Sequence, residues 1–329
     1  MKMEKMVEMP EEKRICKLSK KFGKQTNVKK WMQKIGIEKN QRIGDLLERN
    51  AAAYPESDAI IFNGKTITYD ELNNQVNQFA AGLLKLGING GDKVAIWLPN
   101  CIEWVVTWFA ITRIGAVVVP MDVWYKPVEA EYILAHSEVA AVITTAKFDK
   151  QDFVSQLNNL RQKLPCFKYT VVVNDDENSG YPFKKILALG ADWDTNKLYA
   201  ERVRSVQPDN VAFILYTSGT TGKPKGAMLT HANIIQNSKD AAGILKITRK
   251  DKFLVPVPFS HCFGNVLGIT LAAAKGAGIV PMAKFNPEEA LKLIEKEKCT
   301  VCHGVPVFSY NYFLFYIVIY FHTFTTQKI

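Results

Sequence analysis

A chain that repeats itself narrows its own choice of fold, because one supersecondary pattern must then serve twice. In this 329-residue chain, Ala80-Ala-Gly-Leu-Leu-Lys-Leu86 recurs as Ala241-Ala-Gly-Ile-Leu-Lys-Ile247. Asp92-Lys-Val-Ala-Ile-Trp-Leu-Pro99 recurs as Asp251-Lys-Phe-Leu-Val-Pro-Val-Pro258, and Gly115-Ala-Val-Val-Val-Pro-Met121 as Gly276-Ala-Gly-Ile-Val-Pro-Met282. The offsets are 161, 159 and 161 residues, in the same order. Each copy reads as alternating helix and strand. Thr68 and Glu71 form a capping box that opens a helix. Leu72, Val76, Phe79, Leu83 and Leu86 then fall on one helical face, and Gly87 stops it. A strand follows over 93–98, a helix over 100–114, an apolar strand over 116–119, a helix after Pro127 and a strand over 140–144. Apolar strands without alternation, set between amphipathic helices, predict a parallel sheet covered on both faces. In the second copy, Asn286 with Pro287 in the first turn predicts the start of the last full helix.

The expected fold is therefore α/β: two similar subdomains in a pseudo-twofold relation, over residues 41–205 and 206–306, the second incomplete. Residues 1–40 read as a basic leader. They hold twelve Lys and Arg against five Glu, so most of the formal net charge of +10 sits there and the body is nearly balanced. That distribution reads as a solvated tail and argues against a nucleic-acid partner. The leader has no apolar core for secretion, and its four Glu before residue 13 argue against a transit peptide. A cytoplasmic location and six reduced cysteines are the corresponding expectations.

The copies differ most where each begins. The first opens with Ala59-Ile-Ile-Phe62, an Asn63-Gly64 turn and a return strand to Thr68, which reads as a tight hairpin. The second opens with Ala212-Phe-Ile-Leu-Tyr216 and returns at Ala227-Met-Leu-Thr230, nine residues longer. The added loop is Thr217-Ser-Gly-Thr-Thr-Gly-Lys-Pro-Lys-Gly226. Its glycines let backbone N–H groups converge on one ligand, and Thr217, Ser218, Thr220 and Thr221 add hydroxyl donors. Lys223 and Lys225 add positive charge, and Pro224 stiffens the stretch between them. Composition alone leaves two readings: a polyphosphate cradle, or a mobile Gly/Thr loop. The Walker-type spacing is absent, and no helix follows directly.

Tyr216-Thr-Ser-Gly-Thr-Thr-Gly-Lys-Pro-Lys-Gly226 resembles the signature loop of the adenylate-forming superfamily, which includes acyl-CoA synthetases, peptide-synthetase adenylation domains and luciferases. Three further segments resemble that family: Ile114-Gly-Ala-Val-Val-Val-Pro-Met-Asp122, Pro258-Phe-Ser-His-Cys-Phe-Gly264 and Cys302-His-Gly-Val-Pro306. Fatty-acyl-CoA synthetases are the most similar in feel, and the resemblance runs from about Ile43 to Pro306. It implies an AMP-forming acid–thiol ligase using ATP, Mg²⁺, a carboxylic acid of fatty type and CoA. It also implies that Thr217, Ser218, Gly219, Thr220, Thr221, Gly222 and Lys225 hold the β- and γ-phosphates, with Lys223 a more variable member. His261 is implied to line the acyl pocket beside the reacting carboxylate, with Lys225 and His261 as the catalytic candidates. A helix-start histidine satisfied by backbone is the plainer alternative for His261. Two rival functions stay open: a non-catalytic nucleotide-binding module, and an adenylation domain that loads an amino acid onto a carrier protein.

Cys299-Thr-Val-Cys302-His303 matches a haem-attachment pattern, but it falls where the first copy has a core strand. Two small buried residues on such a strand is the expectation, with no metal. The run 309–324 is aromatic, and its uninterrupted apolar part, 312–321, is half the length a spanning helix needs. Residues 307–329 read as an aberrant tail. The family's Tyr-Gly-x-Thr-Glu and Thr-Gly-Asp segments and its C-terminal lysine domain do not occur in this sequence. The expectation is a fragment with little or no ligase activity.

Overall fold

The computed structural model describes residues 41–173, 180–217 and 223–304. The basic leader and the aromatic tail lie outside the described residues. Among the described residues, ten helices, besides a short 3-10 turn at Arg161–Lys163, cover the sheets. They are α1 (Ile43–Ala53), α2 (Tyr69–Leu86), α3 (Ile102–Arg113), α4 (Pro127–His136), α5 (Phe153–Leu160), α6 (Phe183–Leu189), α7 (Lys197–Ser205), α8 (His231–Ile244), α9 and α10 (Pro287–Glu297). In α9 a short turn, Cys262–Gly264, runs through a π-turn at Asn265–Thr270 into Leu271–Lys275.

The helix boundaries follow local chemistry. The Thr68 hydroxyl accepts from the Glu71 N–H while Glu71 accepts from the Thr68 N–H, so the capping box that opens α2 is reciprocal. Gly87 ends α2 at φ 102, a left-handed geometry that costs a glycine little. The Asn286 side chain caps α10, with Pro287 in its first turn.

A seven-stranded sheet holds β3 (Lys93–Trp97), β4 (Val117–Pro120), β5 (Val139–Thr145), β8 (Tyr169–Val173), β9 (Tyr181–Pro182), β10 (Val211–Thr217) and β11 (Lys225–Thr230), in the order β11-β10-β4-β3-β5-β8-β9. A five-stranded sheet holds β1 (Asp58–Phe62), β2 (Lys65–Thr68), β12 (Lys252–Val255), β13 (Gly278–Pro281) and β14 (Val301–Cys302), in the order β14-β12-β13-β1-β2. A small hairpin of β6 (Lys147–Phe148) and β7 (Gln151–Asp152) stands apart.

The copies trade their opening hairpins. β1 pairs in parallel with β13 of the second copy, through Ile60 and Ile279. β10 pairs in parallel with β4 of the first, through Phe213 and Val118. Read from the hairpin inward, β2-β1-β13-β12-β14 and β11-β10-β4-β3-β5 are the same order with the copies exchanged. The boundary near residue 205 thus separates copies along the chain, whereas each sheet draws on both. Each hairpin thereby covers a strand of the other copy's parallel core that would otherwise stand unpaired at the edge. The exchange is fastened by the Tyr69 hydroxyl, which donates to the Ala277 carbonyl at 2.8 Å, and by the Asn50 amide, which donates to the Ala273 carbonyl at 2.6 Å.

Strand alternation sorts the apolar side chains into layers. Val94 and Ile96 of β3 join Ile60 and Ile279 of the other sheet in one cluster, filled by α2, α3 and α9. Ala95 and Trp97 face the opposite way, onto α4 and α5. Ile61, Leu254 and Val280 face α10. The described body is thus helices, sheet, helices, sheet, helix, with the largest core between the two sheets.

Candidate functional site

In an open parallel sheet, loops that follow the strands collect at one edge, and ligands bind there. Here two such edges meet. A cleft of about 240 Å³ is lined by Pro99 and Asn100 after β3, Trp124 after β4, Pro258 and Ser260 after β12, and Lys284 after β13. Asn100, 5% exposed, ties the edges together. Its amide donates to the Val257 carbonyl at 2.9 Å, and its oxygen accepts from the Phe259 N–H at 2.7 Å. One buried side chain of the first copy therefore sets the backbone of the loop that carries His261.

β10 runs parallel to β4, so its tip emerges at this same edge. Beyond an irregularity between Val211 and Phe213, the β10–β11 hairpin is in register up to the pair Thr217 and Lys225. The nine added residues are not all in the tip. β1 and β2 have five and four residues, β10 and β11 seven and six, so each strand gains two and five enter the loop. Of the cradle candidates, Ser218, Gly219, Thr220, Thr221 and Gly222 lie outside the described residues. Thr217, Lys223 and Lys225 are described, and the two lysines differ. The Lys223 ammonium sits 5.3 Å from the centre of the Tyr132 ring on α4. Lys225, at the first position of β11, is exposed and has no ion-pair partner among the described residues.

His261 is the residue before the helical turn of α9, where the first copy has Cys101 before α3. Its Nδ1 accepts the Phe263 N–H at 3.1 Å, so the capping role expected of a helix-start histidine is present. That bond occupies Nδ1 only. In the neutral ring the proton is then on Nε2, which has no hydrogen-bond partner among the described residues. His261 is exposed at the rim and does not itself line the cleft; its neighbours Pro258 and Ser260 do. The Cys262 sulfur lies 3.7 Å from Nδ1. This contact, more than the smaller pull of the Asp122 carboxylate, raises the imidazole above its ordinary value, and burial opposes it. The same contact lowers the Cys262 thiol. The Phe263 N–H competes for Nδ1 at a shorter distance, which favours the neutral ring. The glycine of this segment has a steric cause. A Cβ on Gly264 would stand 2.3 Å from the Pro258 carbonyl oxygen, so the loop closes on itself only with hydrogen there.

A model of the AMP-binding enzyme family matches residues 47–313, most of the chain. The chain belongs to the AMP-binding enzyme family. Its architecture matches the N-terminal domain of adenylate-forming enzymes. YngI of Bacillus subtilis (strain 168), named as a candidate acyl-CoA synthetase, is 39% identical over 283 residues, 80% of this chain and 51% of that protein. The mitochondrial medium-chain acyl-CoA ligase ACSF2 of Danio rerio is 32% identical over 283 residues, covering 80% and 46%. Among solved structures, the long-chain-fatty-acid-CoA ligase FadD1 of Archaeoglobus fulgidus superposes with a TM-score of 0.72 at 27% identity, over 82% of this chain and 53% of that one. The chain spans about half the length of these relatives.

Other features of this AMP-binding family member fall into place around that site. Cys299 is buried, but in the turn before β14; only Cys302 is on the strand, half-buried. Burial pushes the Cys299 thiol up to about 12. His303 packs between the Phe253 and Phe263 rings, and burial lowers its pKa. No group of three or more His, Cys, Asp or Glu able to hold a metal occurs among the described residues. No helix among them is long and apolar enough to cross a membrane. Sequence reasoning passed over Asn100, although an amide just past an apolar strand, in Leu98-Pro99-Asn100, is a signal that could have found it. It also passed over Tyr132 and His136, one helical turn apart on α4.

Proposed function

We propose that this chain carries the phosphate-gripping and acid-facing half of an AMP-forming carboxylate–CoA ligase acting on a fatty-type acid. In the first step a carboxylate oxygen attacks the α-phosphorus of ATP. The bond to the β-phosphate oxygen breaks, and acyl-AMP and pyrophosphate form. In the second, the CoA sulfur attacks the acyl carbon, loses its proton, and expels AMP. Charge builds on the leaving pyrophosphate in the first step, so a fixed cation and fixed hydroxyl and N–H donors there lower the barrier, by about 3 kcal/mol for one well-placed donor. Lys225 and Thr217, paired across the hairpin mouth at the carboxyl edge, are suited to that task, with residues 218–222 supplying the remaining donors. The Nε2–H of His261 is suited to orient the acid's carboxylate at the rim of the cleft. Mg²⁺ would enter as part of MgATP and would neutralise phosphate charge beside Thr217 and Lys225.

The observation that carries this reading is the lengthened β10–β11 hairpin, whose last described pair, Thr217 and Lys225, lies at the carboxyl end of β10, on the side where the loops after β3, β4, β12 and β13 line the cleft. The acyl-CoA ligase names of the relatives support CoA as the acceptor over a carrier protein. Exchange of labelled pyrophosphate into ATP, dependent on an added fatty acid, reads the first step alone. A version extended to the relatives' full length should show it, and Lys225→Met should lower it by roughly two orders of magnitude. Exchange at the parent rate in Lys225→Met combined with Thr217→Ala would sink the proposal. A product that forms with a carrier protein but never with free CoA would move it to the rival acceptor.

A further inference from the structure

The two legs of the phosphate hairpin are both held by one face of α4. On the outgoing leg, the Tyr132 hydroxyl donates to the Pro224 carbonyl at 3.0 Å, and the Lys223 ammonium lies over the same ring. On the incoming leg, the His136 Nδ1 and the Tyr216 hydroxyl are 2.7 Å apart. Residues 132 and 136 are four apart in a helix and so share a face. The three rings also touch one another. Tyr132 stacks on His136 at 5.4 Å, and Tyr216 meets Tyr132 and His136 edge-on at 6.4 and 5.7 Å. Tyr216 in turn pairs with Gly226 in the hairpin register, so the triad grips the hairpin directly below its mouth.

A two-stranded ribbon whose tip must meet a triphosphate gains little from strand pairing at its open end. Its aim is fixed only if something outside the ribbon fixes both legs. The short turn of the first copy shows that the fold itself does not call for such a device: β1 and β2 close through Asn63 and Gly64 alone, at φ 50 and 75. We propose that Tyr132 and His136 are positioning residues for the phosphate loop, and that Lys223 is a docking residue on Tyr132 rather than a phosphate ligand, which leaves Lys225 as the phosphate cation. The proposal rests on the reading of 217–226 as the phosphate loop. It divides the labour of two lysines that the sequence presents as equivalent.

Trypsin supplies the test on the chain as it stands, because Pro224 blocks cleavage after Lys223 and leaves the Lys225–Gly226 bond as the reporter at the hairpin mouth. The bond after Lys298, exposed beyond α10, is the control. Tyr132→Phe removes the bond to Pro224 and keeps the ring; Tyr132→Leu removes both; Lys223→Met removes the charge. Cleavage after Lys225 should quicken roughly three- to tenfold in Tyr132→Phe and further in Tyr132→Leu. Cleavage after Lys298 and the melting temperature should stay at the parent values. Lys223→Met should add nothing once Tyr132 is Leu, since the two share one contact. An unchanged rate after Lys225 in all variants overturns the anchoring, and so does equal acceleration at both bonds. MgATP should slow cleavage after Lys225, and the half-protecting concentration should rise in Tyr132→Phe by a similar factor. If MgATP protects no form of the chain, the phosphate reading fails, while the rate comparison still decides the anchoring.

Discussion

At the scale of single residues, the site depends on side chains whose two ends do different work. His261 uses Nδ1 to hold the loop, through the Phe263 N–H, and its Nε2 has no hydrogen-bond partner among the described residues. Its contact with Cys262 has a measurable consequence. The imidazole lowers the thiol, so alkylation of Cys262 by iodoacetamide should reach half its plateau at a pH below that of an ordinary cysteine. His261→Ala should move that midpoint up, and peptide mass mapping across pH 6–10 reads both (~ordinary thiol near 8.5). A midpoint indifferent to His261 would mean that the Phe263 N–H keeps Nδ1 to itself. The sequence made His261 legible because a distinctive residue stood inside a distinctive segment. Asn100 was not legible in that way. Its role exists only where the loop after β3 meets the loop after β12, and the amide just past an apolar strand is the one local sign of it. Tyr132 and His136 were hidden for the opposite reason: an aromatic pair at helical spacing reads as ordinary packing until the hairpin beside it is seen.

Among the elements, what was readable is what is decided within a few residues. The Thr68–Glu71 box, the Gly87 stop and the Asn286 cap are contacts over three or four positions, and each stands where the pattern placed it. The length of the β10–β11 hairpin was readable as nine extra residues; their division between strands and loop was not, because register is set by partners across the ribbon. Contacts between helices were not readable either. The start of α1 meets the start of α8 through His231, fully buried, whose Nδ1 accepts the Ile43 N–H at 3.2 Å. Burial lowers this imidazole to about 4, with Asp45 opposing and Arg42 assisting. The unfolded chain therefore takes up a proton here before the folded one does. The stabilisation is complete above the ordinary histidine range and is lost as pH falls from about 6.5 towards 4. At ~1.4 kcal/mol per pH unit, the loss reaches about 3 kcal/mol. Urea midpoints at pH 7 and pH 4.5 should differ less in His231→Gln than in the parent. An equal difference would show that the junction does not exclude the proton.

For the molecule as a whole, the traded hairpins make the two copies parts of one folding unit. A chain cut near Gln207 leaves the first piece with β1 and β2 but without β13, and the second with β10 and β11 but without β4. Neither piece alone should melt cooperatively, and mixing them should restore a single transition, followed by circular dichroism. Two independent transitions from the separate pieces would show that the exchange is ornamental. The repeat in the sequence announced two similar subdomains, one per copy, and it could not show that each sheet takes its hairpin from the other copy. β1 and β10 carry similar apolar patterns, Ala59-Ile-Ile-Phe62 and Ala212-Phe-Ile-Leu215, so the local pattern does not name the edge.

That ambiguity has a cost in time. Ile60 is made early and finds its neighbour Ile279 only after nearly the whole described body has been synthesised, so the first hairpin must wait, unpaired on one side, while its own copy's strands assemble beside it. Contacts so distant along the chain slow folding and leave a sticky edge open to mispairing meanwhile. On the ribosome, residues 58–68 are therefore exposed to mispairing until β13 emerges.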